Sequence, residues 1–307
     1  MWVALAFLSA LCLGFYDISK KVALRDGSVV DVLTASVLIS SCILLVPLLL
    51  SRLAPFLMSE TAFFVPTLDL RGHLLTVLKS VIVLSSWLCA YLALKHLPIS
   101  IVSPWQATRP MWTLIGAMLI FGERLNPWQW IGVLLAIGSI FLFQLSSFDF
   151  RLSTLSRPRL RSNYYLALAL AIIIGACSGL YDKYIMRLYD QNAVQVYYTL
   201  YQAVMMLCVW MIVNQKNLQS KISNIKSIKK FWAIILISLF LIVSDNVYML
   251  ALQDPDSMIA VVSTIRRGGT VIGFAYGLIF LKEKDPYKKV LCMLGILAGL
   301  ICLALGS

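Results

Sequence analysis

The sequence predicts an all-α membrane protein with ten transmembrane helices, arranged as two inverted five-helix repeats. Its composition is the first observation that favours this class. Of the 307 residues, 60% are hydrophobic and only 13% are charged, and the mean hydropathy is +0.86. Soluble domains carry about 25% charged residues. The chain is therefore expected to cross a lipid bilayer several times.

Ten apolar segments of spanning length are the second observation. A helix needs about 20 apolar residues to cross the hydrocarbon core of a bilayer. Segments 1 to 10 meet this requirement at residues 2–24, 32–53, 74–95, 99–121, 128–146, 164–186, 194–213, 231–252, 257–281 and 287–306. The longest connections are 54–73, 147–163 and 214–230.

Short motifs that recur in the same order in both halves are the third observation. Gly14-Phe15-Tyr16-Asp17 returns as Gly179-Leu180-Tyr181-Asp182, Leu92-Ala93-Leu94 as Leu250-Ala251-Leu252, and Glu123 with Asn126-Pro127 as Glu283 with Asp285-Pro286. Five helices per half is an odd number, so the second copy must enter the membrane upside down, as in many transporters. We predict a first repeat at 1–150, a basic linker at 151–162 and a second repeat at 163–307.

The basic excess points to membrane lipids as partners. Lys and Arg outnumber Asp and Glu by 26 to 14. Most of these basic residues lie in loops between the apolar segments, where they set orientation and contact anionic headgroups. We therefore exclude nucleic acid as a partner. The expected location is the bacterial plasma (inner) membrane; the side on which the termini lie is left open, and so is a homodimer.

Two adjacent arginines lie halfway along segment 9. Arg266 and Arg267 follow about ten residues of helix, which places them about 15 Å deep, and an arginine at the bilayer centre costs about 3 kcal/mol or more. Neighbouring helical positions point about 100° apart. One arginine is therefore expected to line a cavity while the other pairs with a neighbouring helix. The alternative is a purely structural ion pair with Asp17, Asp182 or Asp245.

Helix-breaking residues accompany the arginines in both halves. Gly268 and Gly269 follow the pair in segment 9, and Pro110 follows Arg109 at a similar depth in segment 4. Interrupted segments at corresponding positions favour a binding site, because a loosened backbone offers polar groups there. The alternative in the first half is a plain proline kink with Arg109 paired internally.

Carboxylates supply possible partners for these cations. Asp245 lies deep in segment 8, and a carboxylate there must be paired or protonated. Asp182 and Lys79 lie near predicted helix ends. Boundary roles are therefore predicted for both, with the Lys79 side chain extending towards the headgroups.

Aromatic and amide groups complete the predicted site. The predicted substrate-binding residues are Arg109, Arg266, Arg267, Asp245, Trp87, Gln106 and Tyr248, with Pro110, Gly268 and Gly269 as helix breakers beside them. No catalytic residue, metal ligand or cofactor is expected, because the seven cysteines lack metal-site spacing and no hydrolase or phosphate-binding loop motif is present.

The sequence resembles the drug/metabolite transporter superfamily, EamA type. The resemblance lies in the two similar halves, in the Gly122-Glu123 ending of segment 4 and in its counterpart Leu281-Lys282-Glu283 after segment 9. The resemblance implies a secondary active transporter that works by alternating access, with proton-coupled efflux as one form. The excess of arginines over carboxylates deep in the segments favours a small polar or anionic metabolite as the cargo. The alternatives are a lipid-linked headgroup flippase or a sugar-phosphate carrier of the same fold. The sequence favours a membrane-embedded enzyme or a scaffold less than these functions.

Overall fold

The computed structural model describes residues 1–24, 28–97, 102, 105–106, 108–146, 158–214, 228–279 and 286–306. Every regular element in these ranges is a helix, which confirms the predicted all-α class. The helices are α1 (Trp2–Leu24), α2 (Val29–Leu53), α3 (Pro55–Met58), α4 (Leu70–His96), α5 (Arg109–Phe121), α6 (Pro127–Ser146), α7 (Pro158–Met186), α8 (Gln191–Asn214), α9 (Ile228–Gln253), α10 (Ile259–Arg267), α11 (Thr270–Ile279) and α12 (Pro286–Leu305).

Six helices in the described ranges are long and apolar enough to cross a membrane, namely α1, α2, α4, α7, α8 and α9. Shorter apolar helices lie at Arg109–Phe121, Pro127–Leu142 and Val290–Leu305. The chain is therefore an integral, multi-pass membrane protein. The predicted set of ten segments in an inverted repeat goes further than these observations and stays a prediction.

Several helices begin a few residues before the predicted segments, and two of these differences concern the linker and the charged residues. Helix α7 begins at Pro158, inside the predicted linker 151–162, because proline is favoured in the first turn of a helix, where its missing N–H is not needed. Helix α4 begins at Leu70 rather than at 74, because the Asp69 carboxylate accepts a hydrogen bond from Gly72 N at 2.8 Å and caps the helix. Residues 151–157 of the linker and the motif residues Lys282–Asp285 lie outside the described ranges.

Helices from the two halves of the chain pack against each other in pairs. Helix α1 lies along α9, α4 along α7, and α6 along α12. Small residues permit the closest contacts: a Cβ atom added to Gly299 would come within 2.7 Å of the Gly132 carbonyl oxygen. Such residues let two helix backbones approach closely. The halves therefore form one interlocked bundle.

A buried carboxylate joins three helices at one end of the bundle. Glu123, just after α5, accepts hydrogen bonds at the start of α10 from Ile259 N (2.8 Å) and Ala260 N (3.1 Å). It also accepts one from Lys183 Nζ of α7 at 3.0 Å, and Lys183 donates to the Ser257 carbonyl. The negative charge thus satisfies free N–H groups at a helix N-terminus, where the helix dipole favours it.

We expect Glu123→Ala to destabilise the protein strongly. The Lys183 and Glu123 side chains are only 2% and 5% exposed, and removing one partner of a buried ion pair typically costs about 3–5 kcal/mol. Thermal unfolding in detergent measures the effect, with Glu60→Ala, which removes an exposed carboxylate, as the matched control. Equal midpoints for the two variants would show that the Glu123 contacts contribute nothing.

Candidate functional site

Seven charged side chains from six helices lie close enough to interact electrostatically; six of them are buried or half-buried in the bundle, and Asp17 is exposed. We call them the central charge cluster: Asp17 (α1), Lys79 (α4), Arg109 (α5), Asp182 (α7), Asp245 (α9), and Arg266 and Arg267 (α10). All three predicted substrate-binding arginines belong to this cluster, and so does the predicted carboxylate Asp245. The fold therefore brings together charges that are far apart in the sequence.

The arginine pair lies at a break in the chain, as predicted. Helix α10 ends at Arg267, and α11 begins at Thr270 after two intervening glycines. Gly268 N donates to both the Thr264 and Ile265 carbonyls, at 3.3 and 2.8 Å, which closes the last turn. The C-terminal end of a helix carries a partial negative charge that stabilises basic side chains. The break thus places both guanidinium groups where the α10 dipole favours them.

Arg266 is the paired member of the two. Its Nη2 atom donates to Asp245 Oδ1 at 2.8 Å and to Ser244 Oγ at 3.3 Å, and its guanidinium lies 4.0 Å from the centre of the Tyr248 ring. The Arg266 and Asp245 side chains remain 18% and 25% exposed. The buried Nε atom of Arg266 has no hydrogen-bond partner among the described residues. One donor edge of this guanidinium is therefore unused.

Arg267 has a different environment from its neighbour. It interacts electrostatically with Asp17, and the like charges of Arg266 and Arg109 act on it at the same time. No hydrogen bond or ion pair of its guanidinium is formed within the part of the chain that the structure describes. The roughly 100° between adjacent helical positions explains why the two arginines differ.

Arg109 has only neutral hydrogen-bond acceptors among the described residues. As the first residue of α5, it donates from Nη2 to Ser86 Oγ at 3.3 Å and to the Ala171 carbonyl at 3.2 Å. A Cβ atom on Gly175 would come within 2.3 Å of its guanidinium, so the glycine makes room for the charge between α5 and α7. The buried Nε atom of Arg109 also has no partner in the described ranges. Pro110 lies in the first turn of α5 rather than in a helix interior.

Lys79 and Asp182 are charged residues of the cluster whose roles the sequence reading missed. The predicted boundary roles are wrong: both residues are buried, and Lys79 Nζ donates to Asp182 Oδ1. The Tyr248 hydroxyl donates to Asp182 Oδ2 at 3.4 Å. Because α4 begins earlier than predicted, Lys79 lies more than two turns inside the helix. The capping residue Asp69 was the sequence signal that could have revealed this depth.

The remaining predicted site residues lie at the edge of this arrangement or away from it. Trp87 follows Ser86 on α4 and is half-buried, as is Gln106, and neither side chain makes a hydrogen bond within the described ranges. Gly268 and Gly269 are buried against other helices instead: a Cβ atom on Gly269 would come within 2.4 Å of the Ala10 carbonyl oxygen on α1. The glycines therefore permit close packing as well as the helix break.

An apolar crevice lies beside the helix break, between α1, α11 and α12. Its volume is about 280 Å³. It is lined by residues of α1, α11, α12 and the break itself: Phe7, Ala10, Leu11, Gly268, Gly269, Val271, Ile272, Leu297, Leu300, Ile301 and Ala304. Three lining residues, Leu11, Leu297 and Ile301, are also exposed on the outer surface of the bundle. The break thus borders both the charged interior and an apolar surface.

Comparison with known proteins gives one family match and one similar fold. Residues 1–145 match the EamA-like transporter family, and no curated protein matches the chain. A crystal structure of a protein shares the fold with a TM-score of 0.73 at 12% sequence identity, over 99% of this chain and 96% of the other. The resemblance predicted from the sequence is confirmed over residues 1–145, slightly less than half of the chain, where the sequence is similar to the EamA-like transporter family.

Proposed function

We propose that the chain is a secondary active transporter that moves a small anionic metabolite by alternating access, with Arg109, Arg266 and Arg267 of the central charge cluster as the groups that bind the cargo. The observation that carries this proposal is the surplus of basic groups. The cluster contains four basic and three acidic side chains, and neither Arg109 nor Arg267 forms an ion pair with a carboxylate in the described ranges. A charged cargo would supply the missing partner.

The free donors of the arginines support a carboxylate or phosphate as the recognised group. Arg266 and Arg109 each use Nη2 for protein contacts and leave Nε without a partner in the described ranges. A guanidinium binds planar or tetrahedral oxyanions through two parallel N–H bonds. A buried donor without an acceptor is also costly, typically about 1–3 kcal/mol. An oxyanion admitted beside these guanidinium groups would satisfy these atoms.

Partial exposure of the charged groups supports access from water. Arg109, Arg267 and Asp245 are half-buried and Asp17 is exposed, although all lie within membrane-crossing or neighbouring helices. Lipid is a poor solvent for such groups. Their exposed surface is therefore best explained by a polar chamber between the helices, which a substrate can enter.

The packing of the helices supports the two-repeat architecture that alternating access requires. Helix α1 of the first half packs on α9 of the second half. In the repeat, α7 corresponds to α1 and α4 corresponds to α9, and these two helices also pack on each other. Helices α6 and α12 form a further pair with corresponding positions in the two halves. Exchanging the repeats 1–150 and 163–307 therefore preserves the set of pairs, as an inverted duplication predicts. Location in a bacterial plasma membrane is part of the same proposal.

Asp245 acts in this account as an internal competitor for the cargo. Its Oδ1 atom lies 2.8 Å from Arg266 Nη2. A substrate carboxylate or phosphate that reaches Arg266 must replace or share this contact. The exchange gives the protein a way to sense cargo, since the Asp245 carboxylate is released when the cargo binds.

A flippase for a lipid-linked headgroup is the second candidate. The apolar crevice beside Gly268 and Gly269 favours it, because an acyl chain there would lie next to the arginine pair that could bind its phosphate. A thermal-shift screen of the purified protein separates the two functions. Stabilisation by amino acids, nucleosides, sugar phosphates or organic acids supports the metabolite transporter, whereas stabilisation by lipid phosphates alone supports the flippase.

Arg267→Ala and Arg109→Ala should each lower transport of the screened anion about tenfold or more, because a hydrogen bond to a charged group contributes about 1.5–3 kcal/mol. The measurement is uptake into proteoliposomes with equal amounts of inserted protein. Arg52→Ala is the matched control, since that arginine bonds to Tyr197 and Pro66 away from the cluster. Unchanged uptake in both cluster variants would refute the assignment.

Asp245→Asn should lower the KM for the anion severalfold and reduce kcat. The neutral amide competes less well for Arg266, so the cargo binds more tightly and leaves more slowly. Asp256→Asn, which changes an exposed carboxylate between α9 and α10, serves as the control. If KM stays at the wild-type value in the Asp245 variant, the competitor role is wrong.

A further inference from the structure

A buried ion pair outside the predicted site borders the central arginines. Lys79 of α4 and Asp182 of α7 form this pair, with side chains that are 3% and 12% exposed. The Lys79 ammonium also lies 4.7 Å from the centre of the Tyr198 ring of α8. Burying two charges is costly unless their geometry is well satisfied. The pair therefore needs an explanation beyond stability.

One tyrosine connects this ion pair to Arg266. The Tyr248 hydroxyl donates to Asp182 Oδ2, and the face of the same ring lies against the Arg266 guanidinium. Tyr248 is 5% exposed, so its ring is held by packing. Lys79 thus holds Asp182, Asp182 accepts a long hydrogen bond of 3.4 Å from the Tyr248 hydroxyl, and the Tyr248 ring lies against the cation.

The Arg266 guanidinium is contacted by the protein on one face of its plane and at one edge. Asp245 and Ser244 accept from Nη2, Tyr248 covers a face, and Nε has no partner in the described ranges. A guanidinium recognises an oxyanion well only when its fork is held in one orientation. The three helices α4, α7 and α9 together supply that orientation.

We propose that Lys79 and Asp182 are positioning residues that orient Arg266 through Tyr248 and thereby set the affinity for the anion. The inference rests on the proposed function of Arg266 as a cargo-binding residue. It adds two residues, on helices α4 and α7, to the set that determines substrate binding. They act without touching the cargo.

Side-chain NMR of arginine tests the positioning step without any substrate. Protein labelled with ¹⁵N at arginine is placed in nanodiscs, and the Arg266 Nε–H signal is assigned from its loss in Arg266→Lys. Tyr248→Phe removes the bond to Asp182 but keeps the ring, and Asp182→Asn removes the charge. Both variants should shift the Arg266 signal. Tyr201→Phe, which removes a tyrosine hydroxyl bonded to His73, should leave it in place.

Inorganic phosphate, as an oxyanion probe, tests the consequence for binding. In the wild-type protein, phosphate should perturb the Arg266 signal. In Tyr248→Phe, the Kd should rise about fivefold, the loss expected for one hydrogen bond that orients a charged group. In transport assays, Tyr248→Phe should raise the KM of the screened anion by a similar factor and leave kcat near wild type. A merely structural role would instead lower the amount of folded protein or both kinetic parameters.

The two measurements separate the possible failures. An Arg266 signal that is unshifted in both Tyr248→Phe and Asp182→Asn overturns the positioning role, whatever the protein transports. If Asp182→Asn does not fold, Tyr248→Phe alone decides the question. A shifted signal together with full transport by Arg266→Ala keeps the structural link but refutes Arg266 as a cargo-binding residue, and with it the effect on affinity.

Discussion

The need to compensate guanidinium groups inside a membrane-crossing bundle constrains the rest of this structure. The hydrocarbon core of a bilayer offers no hydrogen-bond acceptors, so each cation at that depth must find one within the protein or in water that the protein admits. Arg266 is compensated by Asp245, Ser244 and the Tyr248 ring. Arg109 has only a hydroxyl and a carbonyl, and Arg267 has only long-range attraction to Asp17, within the described ranges. The proposed function accounts for this unequal compensation, because a bound anion would complete the environment of Arg109 and Arg267.

The backbone is arranged to place these charges. Helix α10 is only nine residues long, and each end has its own stabilising device. Glu123 and Lys183 hold its start, and the glycine break allows α1 to approach its end closely. The short helix therefore delivers two arginines to a fixed depth, with the helix dipole favouring their charge. Contacts at both ends thus fix the position of this helix, and the apolar crevice lies beside the break.

Much of the fold could be predicted from the sequence because hydropathy acts locally. The bounds of α1 match the predicted segment at 2–24, and the break at Gly268 and Gly269 is where glycine predicted it. The pairing of Arg266 with Asp245 was one of the alternatives that the sequence left open. Lys79 and Asp182 were assigned to the boundary because their depth depends on where α4 begins, which one capping contact at Asp69 decides. Nor could the sequence reveal that Glu123 caps a helix 136 residues away, since no local pattern records such a contact.

The most direct test of the central claim is the position of an oxyanion in an experimental structure. Crystals of the protein soaked with tungstate would give an anomalous signal wherever a tetrahedral oxyanion binds. The account predicts a peak within hydrogen-bond distance of the Arg267 guanidinium, in the interior bordered by Arg109 and Arg266. Peaks confined to the surface loops, with Arg109 and Arg267 enclosed in dry packing, would contradict it.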